Sequence, residues 1–230
     1  MMSTTAISFE DARTALAEDG FYCIQDPTVG LRILEMERNG SQFSSSSKAG
    51  LEFCKSNVLK DERIRTILES SFDWCGLGYY QRIAEDQGHI FQLRKGGENP
   101  DILLVHLWSK GSRVIYYRGL HLIPWKSVRA ANRMWEIPFA ALARAGIHGT
   151  EIFFENGGLA ILDARLAFEM GHGSPITCGF AVKDELRSWP KLVPPDSEDS
   201  AQMIAELETE KVGVYFAIRD GSQISGGGTG

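Results

Sequence analysis

A chain of 230 residues with 43% hydrophobic and 23% charged side chains has ordinary globular composition. It is long enough to bury a core without disulfide or metal staples. Its net charge of −6 speaks against a nucleic-acid footprint, which needs clustered Lys and Arg, so no nucleic-acid partner is expected. No stretch approaches the roughly 20 apolar residues that span a bilayer, and residues 1–20 carry no signal-peptide run. A cytoplasmic protein without a membrane partner is expected.

Ser8-Phe9-Glu10-Asp11 opens a helix that Ser8 caps and the acids favour through the dipole; Asp19-Gly20 stops it. Phe21–Ile24 reads as a short strand ended by Asp26-Pro27. Val29–Arg38 fits a helix, Ser44–Ser47 a surface loop, and Lys60–Ser70 a helix with Ile64, Ile67 and Leu68 on one face. After Trp74 the texture changes to short strands at Gly78–Ile83, His89–Arg94, Ile102–Trp108, Arg113–Tyr117, Thr150–Phe154, Leu159–Asp163 and Thr177–Val182. Gly96-Gly97, Lys110-Gly111, Asn156-Gly157-Gly158 and Gly171 supply turns between them. Ser127–Ala145 reads as a mixed helical insertion broken at Pro138, with Arg129, Arg133 and Arg144 on a solvated face. Ala201–Glu210 reads as a helix and Val212–Ile218 as a last strand, before a disordered glycine-rich tail. Short strands with glycine turns indicate a sandwich or barrel rather than a parallel sheet. The expected plan is one domain over 1–230: a helical N-terminal part (1–73), a barrel core (74–193) and a C-terminal helix, strand and tail (194–230).

Cys23, Cys54, Cys75 and Cys178 form no CxxC pair, so a zinc ribbon or thioredoxin motif is unsupported. No Gly-x-Ser-x-Gly elbow or phosphate-cradling glycine loop is present.

Three phrases in order, FEDARTALAEDGFYCI, LLVHLWSKGSRVIYYRGLHLIP and ENGGLAILDARLAF, resemble the phytanoyl-CoA dioxygenase-like branch of the 2-oxoglutarate/Fe(II) oxygenases, in the style of a small fungal member. The resemblance implies a mainly β jelly-roll with flanking helices, the cupin-like double-stranded β-helix, with its pocket in the barrel mouth. In that family a His-x-Asp pair and a distal His hold iron by three corners and leave sites open for 2-oxoglutarate and oxygen. Carried over by position, His-x-Asp falls on His89-Ile90-Phe91, so the carboxylate is phenylalanine, and the distal histidine falls on Phe168. The family's basic anchor for 2-oxoglutarate falls on Cys178, and His121 matches an element that does not bind metal. No cofactor is therefore expected. The alternative, Fe(II) and 2-oxoglutarate, would need a shifted set of His89, His106 and His172 with Lys183 as anchor and a carboxylate from Glu85, Asp86, Glu155 or Glu169.

His89 and His106 are the candidate catalytic residues, expected on barrel strands; either is also readable as a histidine satisfied by carbonyls. Tyr79, Trp108, Tyr116, Phe91 and Phe168 are the candidate pocket for an apolar small molecule, or else barrel core. Arg165 is expected to pair with Asp163 or a loop carbonyl. Three functions stay open. One is iron-free isomerase or cyclase chemistry on an apolar metabolite, in the setting of secondary metabolism. Another is a non-catalytic chain that binds a ligand or pairs, as a homo- or hetero-dimer, with an active paralogue. The last is an active dioxygenase with shifted ligands. Fold alone does not choose among them.

Overall fold

The structure, a computed structural model, describes residues 9–96, 98–197 and 199–217. The expected Ser8 cap, Gly97, the Ile218 end of the last strand and the glycine-rich tail lie outside the described residues.

Helix α1 (Phe9–Glu18) ends at Gly20, whose φ of +86° needs glycine and whose N–H returns to the Ala15 carbonyl. Strand β1 (Phe21–Gln25) follows, then α2 (Pro27–Arg38), with Pro27 in its first turn and Asp26 accepting from Thr28 N at 2.9 Å. The expected Ser44–Ser47 surface loop is instead a structured entry: Ser47 caps α3 (Lys48–Cys54), and Ser44 bridges to Gln81. A π turn at Lys55–Leu59 leads to α4 (Glu62–Ser71), capped by Asp61. Arg63 joins Asp61 and Asp26, at 2.6 and 2.7 Å, and so ties α4 to the start of α2.

Strands β2 (Cys75–Arg82), β3 (Ile90–Gln92), β4 (Ile102–Trp108) and β5 (Ser112–Tyr116) follow. In place of the expected helical insertion, β6 (Val128–Arg129) and β7 (Trp135–Glu136) form a hairpin, and only α5 (Phe139–Arg144) beyond Pro138 is helical. The hairpin wins because Asn132 accepts from Met134 N at 2.9 Å and Arg133 takes a left-handed φ of 67°, a local turn that competes with helix. Then come β8 (Thr150–Phe154), β9 (Gly158–Asp163), β10 (Phe168–His172), β11 (Ile176–Ala181), α6 (Lys183–Leu186), α7 (Ser200–Ala205) and β12 (Val212–Val214).

Among the described residues these strands form two six-stranded sheets, in the orders β1-β9-β4-β11-β2-β12 and β6-β7-β3-β10-β5-β8. The pairings are antiparallel except β12 on β2. This is a mainly β jelly-roll with flanking helices. The N-terminal and C-terminal parts are not separate from the barrel, since β1 and β12 extend its first sheet at either edge.

The first sheet is covered on both faces, which is why Ile102–Trp108 is buried throughout rather than alternating polar and apolar. Leu103, Val105 and Leu107 pack with Val29, Ile33, Ile64 and Ile67 of the helical layer. Ile102, Leu104 and Trp108 face the second sheet, among Phe91, Tyr116, Phe154 and Phe168. No described helix is long and apolar enough to cross a membrane.

Candidate functional site

The inward positions of β4, β5, β10 and β11 meet between the sheets. Period-two alternation sends His106 inward with Leu104 and Trp108, and Thr177, its direct neighbour on β11, inward with it. Phe168 stands opposite both Phe91 of β3 and Tyr116 of β5. The His106 ring meets Phe168 edge-on at 5.0 Å and Trp108 at 5.8 Å, while Phe21 stacks on Tyr116 at 4.6 Å and Phe154 on Trp108 at 5.8 Å. His106, Trp108, Tyr116, Phe168 and Thr177 are 0% exposed and Phe91 1%. The aromatic set therefore fills the space between the sheets at these positions. Tyr79 is half-buried; its hydroxyl bonds Gln81, and burial pushes its pKa up to about 12.

The polar groups here form one short chain. Trp108 Nε1 can only donate, and it donates to the Tyr116 hydroxyl at 3.4 Å. The Tyr116 hydroxyl and His106 Nδ1 share a hydrogen bond, also at 3.4 Å, whose direction follows the histidine tautomer. Neither His106 Nε2 nor Thr177 Oγ1 has a partner among the described residues. Burial drives the His106 pKa down to about 3, and the same burial raises that of Tyr116 well above its usual value. The histidine is a neutral strut at physiological pH.

The other expected groups stand elsewhere. His89 is not on a barrel strand: it precedes β3 at the rim, with its side chain 49% exposed, and pairs with Glu136 at 2.8 Å and Asp86 at 3.8 Å. Those carboxylates raise its pKa, the Glu136 hydrogen bond foremost. His172 ends β10 at the surface, beside Glu85 at 3.7 Å. The shifted metal set of His89, His106 and His172 is thus not assembled, because one member is sealed in the core and two lie outside it. Among the described residues no three His, Cys, Asp or Glu side chains are grouped to hold a metal. Cys178 faces the helical layer, its sulfur 3.9 Å from that of Cys54, and Lys183 lies over the Trp74 ring, so neither points between the sheets as an anchor.

Fit to iron can be judged from the donors. On β3 Phe91 packs in this core, and Leu93, just past the strand, packs against it; Phe168 stands across from Phe91, with Tyr116 beyond Phe168 on β5. Ferrous iron with open positions needs imidazole and carboxylate ligands. One neutral histidine among hydrocarbon rings does not supply them.

A second concavity lies outside the barrel, where α1 and α4 meet the end of β9. Its volume is about 330 Å³. Sequence reasoning missed it as a site, although it found the Asp163–Arg165 pair that forms part of its wall. Asp163 accepts from Arg165 Nη2 at 2.7 Å, Nε at 2.9 Å and backbone N at 2.8 Å, and both side chains are buried. His121 lies beside them, donating from Nε2 to the Ala17 carbonyl at 3.2 Å; burial is the main reason its pKa is lowered.

No protein-family profile matches the sequence, and no curated protein sequence matches it. Solved structures do. The non-heme alpha ketoglutarate dependent epimerase SnoN from nogalamycin biosynthesis superposes with a TM-score of 0.52 at 10% identity, over 95% of each chain. Apo HygX from Streptomyces hygroscopicus gives 0.52 at 10% identity, over 77% of this chain and 88% of that one. EctD from S. alaskensis, solved with 2-oxoglutarate and 5-hydroxyectoine, gives 0.50 at 10% identity over 84% and 80%. At such identities the likeness is one of fold: the chain has the cupin-like jelly-roll of iron- and 2-oxoglutarate-dependent enzymes.

Proposed function

We propose that this chain is an iron-free protein on the oxygenase fold, a relative of the phytanoyl-CoA dioxygenase-like branch with a dismantled metal triad, which binds an apolar small molecule. The observation that carries the reading is the apolar pairing of Phe91 with Phe168, at the two positions where the resemblance expects metal ligands, in an interior closed by Tyr116, Trp108 and His106. A carboxylate pair such as 2-oxoglutarate would have to displace packed hydrocarbon there and would meet no buried cation, which charge burial does not permit cheaply. His106 acts in this reading as a polar strut rather than as an acid–base group, because solvent does not reach it. The test is succinate formation from 2-oxoglutarate by purified protein supplied with Fe(II), ascorbate and oxygen. The reading expects no more succinate than a protein-free blank; succinate above that blank, abolished by chelator, contradicts it.

A further inference from the structure

We infer that the ligand site is the cleft between α1 and α4, and that it takes an uncharged, largely apolar molecule. This deepens the proposed function and rests on it. The inward aromatics Phe91, Trp108, Tyr116 and Phe168 are at most 1% exposed, whereas the cleft holds about 330 Å³. Small-molecule sites are mostly apolar concavities with a few placed polar groups, and this one has that character. Phe9 and Leu16 of α1, Ile67 of α4, Leu103 of β4 and Leu122 line it with hydrocarbon. Its polar wall is His121 with the Asp163–Arg165 pair, and the Ser70 and Ser71 hydroxyls lie at the α4 end, each donating to the Ile67 carbonyl at 2.8 and 2.7 Å.

The charges of the lining choose the ligand class. Arg165 is matched by Asp163, and Arg13 pairs with Glu10 at 3.0 Å. Glu98 adds a further negative charge at the rim. An anion would gain no unmatched cation and would meet Glu98, so the lining disfavours 2-oxoglutarate-like acids. An apolar molecule with a hydroxyl fits both the hydrocarbon and the serines, whose protons go to the Ile67 carbonyl and whose oxygens can accept from it.

The test uses Nile red, an uncharged apolar fluorophore, titrated against the full chain. Saturable, blue-shifted emission is expected, weakened at least tenfold by Ala17→Trp, which projects an indole into the cleft from an exposed position of α1. Ser70→Trp fills the same space from α4 and serves if the first variant does not fold. An anionic naphthalene sulfonate is expected to bind at least tenfold more weakly than Nile red. Absence of saturable Nile red binding, binding unchanged in both folded variants, or equal affinity for the anionic probe would each overturn the inference. Failure of the iron-free reading would register separately, as succinate formation.

Discussion

Phe91 and Phe168 stand directly opposite one another across the antiparallel β3–β10 ladder, with Tyr116 beside Phe168 on the next strand. Opposed positions on adjacent strands bring side chains within about 5 Å at Cβ, near enough for two ligands to share a metal or for two rings to share a core. Here they share a core. Both opposed positions carry buried hydrocarbon.

That arrangement makes the phenylalanines structural. Phe168→Ala is expected to lower the unfolding free energy by about 3–5 kcal/mol, the usual cost of removing a buried ring and leaving a cavity. Urea denaturation followed by fluorescence checks it. A loss under about 1 kcal/mol would mean that the interior is not packed around this ring.

Much of this architecture was legible in the sequence. Ile102–Trp108 and Thr150–Phe154 are strands at the expected bounds, because long apolar or alternating runs between glycine turns leave few alternatives. Phe168–His172 alternates with period two, but the resemblance marks Phe168 as the place of a missing ligand and masks the strand. The β6–β7 hairpin was hidden because its turn depends on the Asn132 side chain and a left-handed Arg133, which helix-like composition masks. The α1–α4 cleft was not legible at all. It is assembled from residues as distant as Leu16, Ile67 and Arg165, and only the tertiary fold makes them neighbours.

His106 gives the stability a pH dependence with a defined sign. Its folded pKa, about 3, lies below the ordinary 6.5, so the unfolded chain binds the proton first. The contribution is fully present above pH 6.5 and is lost progressively as pH falls from there toward 3. Over that window the slope from this group is about 1.4 kcal/mol per pH unit. His121, also lowered, acts in the same direction; His89, raised by Glu136 and Asp86, acts in the opposite one above pH 6.5. Unfolding free energies measured from pH 7.5 to 4.5 should fall less steeply in His106→Gln than in the parent. Equal slopes would show that His106 is not held neutral by the fold.

The cysteines should be silent in the folded protein. All four are free, and Cys54, Cys75 and Cys178 are buried. Burial pushes Cys23 and Cys75 up to about 12 and raises Cys178 well above its usual value, so these three hold little reactive thiolate at pH 8. A thiol–disulfide dye should label fewer than one thiol per native chain within minutes and four after denaturation. Rapid native labelling of two or more would contradict the packing of the helical layer on β11.

Asp163→Asn removes the carboxylate charge beside Arg165 while keeping the side chain's shape. Breaking a buried ion pair from one side costs about 3–5 kcal/mol. The melting temperature should drop well beyond that of a surface substitution such as Asp184→Asn, whose partner Arg187 is solvent-exposed. Equal shifts for the two variants would show that the pair adds no more than a surface contact.

The most direct measurement is an anaerobic Fe(II) titration of metal-stripped protein with 2-oxoglutarate present, followed in the visible range for the metal-to-ligand charge-transfer band. With Phe91, Phe168 and Tyr116 at the inward positions, no band above that of free iron and 2-oxoglutarate is expected while the protein stays folded. A saturable band with one iron per chain would contradict the account and return the barrel interior to the role of a metal centre.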